Sequence, residues 1–104
     1  MIYKIETTIT GTMFDVRYFL EGNEVHLAYD GIETYSSTDL VDVDGNLDLT
    51  CRVTGLNGTK WALALDVTKP DDEDYSKAIK RKSLIEKNQT KLLILSTDLT
   101  AKEK

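Results

Sequence analysis

Cysteine, proline and histidine are nearly missing from this chain, which holds only Cys51, Pro70 and His26 among 104 residues. One cysteine excludes an intramolecular disulfide and a cysteine-built metal cage. One histidine excludes a multi-histidine metal site. No apolar run approaches the ~18 residues of a membrane-spanning helix, and Met1-Ile2-Tyr3-Lys4 lacks the basic and apolar regions of a secretory leader. Cations are outnumbered, 13 Lys and Arg against 18 Asp and Glu, for a net charge of −5. That balance disfavours nucleic acid and anionic membrane as partners, because phosphates reward clustered cations. The expected compartment is the cytoplasm. Glycine stands at turn positions, and no phosphate-cradling glycine loop occurs, so no cofactor is expected.

What is present is alternation. Leu47, Leu49, Cys51 and Val53, then Trp61, Leu63, Leu65 and Val67, occupy every second place. Period-two alternation puts each set on one face of a pleated strand. A three-residue loop, Leu56-Asn57-Gly58, would set Val53 opposite Trp61, Cys51 opposite Leu63, Leu49 opposite Leu65 and Leu47 opposite Val67. Glycine at the last loop position suits the left-handed residue such a hairpin wants. A second hairpin is expected from Phe14–Leu20 to Val25–Tyr29 around Gly22-Asn23, pairing Leu20 with Val25, Tyr18 with Leu27 and Val16 with Tyr29. A turn at Asp44-Gly45-Asn46 sets Val43 opposite Leu47 and Val41 opposite Leu49. Ile2–Thr10 alternates as an opening strand.

After Lys69-Pro70 the pattern changes. Asp71, Asp72, Glu73 and Asp74 precede a stretch rich in lysine, an arrangement that suits the helix macrodipole. Tyr75, Ala78, Ile79 and Ile85 fall on one side at about 100° per residue. The spacing predicts a helix over about 72–87. Leu92-Leu93-Ile94-Leu95 predicts a final strand, 91–97, buried on both faces. The expected fold is mainly β, one domain over 1–104. It is an antiparallel meander that closes into a small barrel or a two-sheet sandwich, with one late helix and that final strand.

Candidate chemistry is thin. Asp42, Asp44 and Asn46 match the first three oxygen ligands of a calcium loop, but Leu47 and Val53 stand where its glycine and bidentate glutamate belong. A turn rich in Asp, Asn and Gly explains the same residues. His26 has no recognisable nucleophile turn beside it. Asp66 lies on the polar row of its strand. Cys51 lies in an apolar row, where a thiol packs as a small hydrophobe. No enzyme and no metal site is therefore expected. On the predicted helix, Lys77, Lys80, Arg81 and Lys87 point outward around Leu84, an apolar anchor ringed by cations. The expectation is a small acidic protein-binding module of inhibitor, immunity or assembly type, contacting a protein partner or itself through that helix face. Its alternatives are a weak calcium-binding β domain and a small-ligand carrier whose barrel cavity is lined by Phe14, Tyr18, Tyr29 and Trp61.

Overall fold

The computed structural model describes residues 1–86 and 90–99. Among them there is no helix. Nine strands form two antiparallel sheets that face each other without closing into a barrel. They are β1 (Ile2–Thr10), β2 (Asp15–Leu20), β3 (Asn23–Glu24), β4 (Ala28–Tyr29), β5 (Thr34–Asp42), β6 (Asn46–Thr54), β7 (Lys60–Lys69), β8 (Asp72–Leu84) and β9 (Thr90–Asp98). One sheet runs β4-β5-β1-β7-β8 and the other β3-β2-β6-β9.

The alternating rows do point inward. Tyr3, Ile5 and Ile9 of β1 and Trp61, Leu63, Leu65 and Val67 of β7 meet Tyr18 and Leu20 of β2 and Leu47, Leu49, Cys51 and Val53 of β6 in one core. Each fully buried Leu, Ile or Val contributes about 1.5–3 kcal/mol. Between the sheets, Thr7 Oγ1 and Tyr18 OH lie 2.8 Å apart, which satisfies two buried hydroxyls.

The expected partners are another matter. β6 and β7 do not pair as a hairpin. β6 lies between β2 and β9, and β7 lies between β1 and β8. Their apolar rows therefore meet across the sandwich rather than side by side. Gly58 does take the left-handed conformation, φ 88°, but in a turn that carries the chain from one sheet to the other. Likewise β5 and β6 belong to different sheets, so Val43 and Leu47 are both buried without facing each other in a ladder. Alternation states which face is buried; it is silent on whether the opposing row sits beside the strand or above it.

The β2–β3 hairpin forms in a shifted register. Leu20 pairs with Asn23, and the two-residue turn is Glu21-Gly22, with φ 50° and 79°. Both residues are left-handed, as a type I′ turn requires. The non-glycine residue in that pair is held by β6: Glu21 donates its N–H to Asp48 O, and its carboxylate accepts from Asp48 N at 2.8 Å. After Glu24 the chain crosses sheets, so Tyr29 pairs with Tyr35 of β5 instead of Val16.

The predicted helix over 72–87 is absent, and β8 takes its place through Leu84. Tyr75 and Ile79 are four residues apart, a spacing that fits both a helix face and every second place of a strand. In β8 the odd row, Tyr75, Lys77, Ile79 and Ser83, turns inward, while Ala78 is exposed. β7 pairs with β1 along one edge and needs a partner along the other, and β8 supplies it from Ser76 to Leu84. Pro70 and Asp71 make the intervening turn, with a bulge opposite Thr68/Lys69. Without a helix, the final strand is covered on one face only. Leu93 and Leu95 pack on the core, whereas Leu92 and Ile94 are 51% and 71% exposed.

Candidate functional site

The sandwich has four sheet edges. β3 and β4 are two residues long, and β4 covers only Tyr35 and Ser36 of β5, so residues 37–42 of β5 have no outer strand among the described residues. β8 is long but carries Asp72, Glu73, Asp74, Lys77, Lys80, Arg81 and Lys82. Short or charged edges discourage further strand addition. β9 is both long and apolar at its centre. It is nine residues long, pairs only with β6 among the described residues, and carries Leu92-Leu93-Ile94-Leu95 at its centre. On its outer face Leu92 stands opposite Arg52, and Ile94 opposite Thr50 and, one strand further, Phe19.

β8 borders this edge from the other sheet. Tyr75 OH donates to Leu99 O at 2.8 Å, and Lys77 Nζ to Asp98 O at 3.1 Å. Lys69 Nζ lies 4.7 Å from the centre of the Tyr75 ring, and that ring tilts against Tyr3 at 5.5 Å. This cluster seals the seam between the sheets at the Asp98 end.

The residues expected on one helix face are divided by the strand. Lys80 and Leu84 lie on the outer face of the first sheet, with Lys82. Lys77 and Arg81 belong to the row that turns toward β9. Leu84 is 39% exposed and stands opposite Lys60. Lys87 lies outside the described residues. Among the described residues, Lys80, Arg81 and Lys82 enter no ion pair. Arg81 donates to the Lys80 carbonyl at 2.8 Å.

The other candidates disperse. Asp42 binds the Met1 ammonium at 2.7 Å, and Asp44 and Asn46 are exposed. No group of three His, Cys, Asp or Glu side chains is placed to hold a metal among the described residues. His26 is exposed on the segment crossing from β3 to β4. Asp66 is exposed and faces Glu6 across the β1–β7 pair, where Lys4 Nζ lies 3.3 Å from the Glu6 carboxylate. Of the four aromatic residues that would line a carrier's cavity, Tyr18 and Trp61 are core, while Phe14 and Tyr29 are 71% and 50% exposed. Burial raises the Cys51 thiol to about 12, so it is not a nucleophile at neutral pH.

One cluster escaped the sequence reading. Ser37 and Asp39 lie on the inward row of β5, beside Thr7 and Ile5 of β1. Ser37 Oγ and one Asp39 carboxylate oxygen are buried with no partner among the described residues. Asp39 lines an open cleft of about 380 Å³ with Leu20, Val25, His26 and Val41. The sole sequence signal was a polar residue at every second place of β5, which reads equally as a solvent-facing row. The Tyr18 phenol, held far above its ordinary pKa chiefly by burial, is fixed in its neutral form by the same interior. Nothing in this cluster pairs a nucleophile with a base.

Fold and site together define an antiparallel two-sheet β-sandwich whose β9 edge, apolar at its centre, is flanked by cations. No protein-family model, curated protein or solved structure matches the chain. No helix among the described residues is long and apolar enough to cross a membrane.

Proposed function

We propose that this protein is a binding module that accepts a polypeptide strand along the outer edge of β9. The observation that carries the reading is the outer edge of β9: it is nine residues long, is bordered by no further strand among the described residues, and exposes Leu92 and Ile94, whereas the β8 edge is charged. An edge strand presents a row of unpaired N–H and C=O groups, and strand addition satisfies them while covering side chains at alternate positions. Isolated surface leucines are ordinary, but two large apolar residues on an otherwise open edge form a coherent contact. The reading keeps the protein-binding role and moves it from a helix face to a sheet edge. It needs neither cofactor nor catalysis.

The test is a photo-crosslinking amino acid placed at Ile94, with Thr38 as an exposed control on the opposite sheet, in a lysate of the native host. Position 94 is expected to yield a polypeptide adduct that position 38 does not. Equal labelling at the two positions would overturn the proposal.

A further inference from the structure

Resting on that reading, we infer that the occupant of the β9 edge is an extended acidic segment, with carboxylates alternating with apolar side chains. Lys77 reaches Asp98 of β9, which sets the level of the two strands. Tyr75 meets Leu99, so the two run in opposite directions. Four residues further along β8 and four residues back along β9, Arg81 stands level with Ile94, on the same row as Lys77. Its exposed guanidinium, which among the described residues donates to the neighbouring Lys80 carbonyl, is therefore within the row that borders the open edge.

A strand added beside β9 alternates its side chains between two environments. Those on the outer face continue the row of Leu92 and Ile94 and gain by being apolar. Those on the inner face turn toward Lys77 and Arg81 and gain by being carboxylates, which a guanidinium binds with two parallel hydrogen bonds. Arg52, opposite Leu92 on the outer face, adds a third cation to the same margin. In a chain of net charge −5 this concentration of cations beside the β9 edge is the reverse of the overall balance. It gives selection by charge as well as by strand pairing. A second copy of the chain fits less well. Antiparallel self-pairing of β9 about Ile94 would bring the two Arg81 side chains to one level, like charge beside like charge.

The probe is a fluorescent eight-residue peptide of alternating glutamate and valine, compared by anisotropy with its lysine–valine counterpart and with a glutamate–valine peptide interrupted by proline. The full chain is expected to bind the first at least about tenfold more tightly than the other two. Arg81→Glu should lose about tenfold toward it, and Arg81→Lys less. Ile94→Lys should abolish binding, while the circular dichroism of each variant stays that of the parent. Equal affinity for the glutamate and lysine peptides, or an Arg81→Glu variant that binds as the parent does, would overturn the inference. Sedimentation of the parent as a dimer that Ile94→Lys dissociates and Arg81→Glu leaves intact would assign the edge to a second copy and overturn it as well. An Ile94 crosslink to a polypeptide, obtained with charge-blind peptide binding, would sink the acidic preference and leave the edge-binding reading standing. No crosslink at all would sink both.

Discussion

The bond between Thr7 and Tyr18 is the most direct measure of how the two sheets are held in register. The side chains belong to β1 and β2, in opposite sheets, and are 1% and 0% exposed, with their oxygens 2.8 Å apart. Thr7→Val keeps the branched shape and removes the hydroxyl, which strands a buried phenol at a cost of about 1–3 kcal/mol. Tyr18→Phe strands the Thr7 hydroxyl instead. Its cost should fall at the low end of that range, because Ser37 stands opposite Thr7 with a hydroxyl free to accept the proton. Replacing both leaves no orphaned group, so the double variant should lose about 1–2 kcal/mol less than the sum of the single losses. Urea unfolding followed by the fluorescence of Trp61, the single tryptophan and a core residue, reads each change as a shifted midpoint at constant slope. Thermal midpoints should move by roughly 4–8 °C per kcal/mol. A double variant that loses the full sum of the two single losses would refute the claim that these hydroxyls satisfy each other across the core.

Two further outcomes test the packing and the ionisation of the interior. A Cβ on Gly11 would lie 2.6 Å from Met13 Sδ and 2.9 Å from Trp61 Cβ, at a φ of +146°. Gly11→Ala should therefore cost about 1–3 kcal/mol and exceed Gly31→Ala, where the added methyl meets nothing; equal losses in urea would contradict the close approach. The Cys51 thiol, raised by burial from 9.0 to about 12, binds its proton more tightly folded than unfolded. Stability from this group is complete below pH 9 and drains away as the pH rises from 9 to 12. Cys51→Ala should flatten that alkaline decline, and in the parent at pH 8 a thiol-disulfide reagent should label Cys51 only as the chain unfolds. Prompt labelling, or an unchanged alkaline slope in the variant, would show the thiol to be accessible.

Much of the inward face was legible residue by residue. Leu47 to Val53 and Trp61 to Val67 alternate without exception, and all of those apolar side chains are buried. The turn at Asp30 is built from local contacts: its carboxylate accepts from the N–H groups of Ile32, Glu33 and Thr34 and is held below the ordinary Asp range, chiefly by the Thr34 hydrogen bond. The helix assignment misled because Tyr75 and Ile79 satisfy two periods at once, and acidic residues followed by lysines serve a charged edge strand as well as a helix dipole. Of the expected site, Lys77 and Arg81 remain together on one row, while Lys80 and Leu84 face the other way. The contact surface was illegible because Leu92 and Ile94 look like core in a run of four apolar residues until the covering element proves missing.

Composition and alternation determined that this chain is β-rich, acidic and without an intramolecular disulfide, and which side chains of β6 and β7 leave water. Those properties are local, set by Cβ direction at every second residue and by the charge count. The tertiary structure alone decided which sheet each strand joins, that β8 extends the first sheet, and that β9 ends the second uncovered. Strand partnership depends on contacts between segments distant in sequence, and a buried row gains the same free energy whether its neighbours come from beside it or from the opposing sheet.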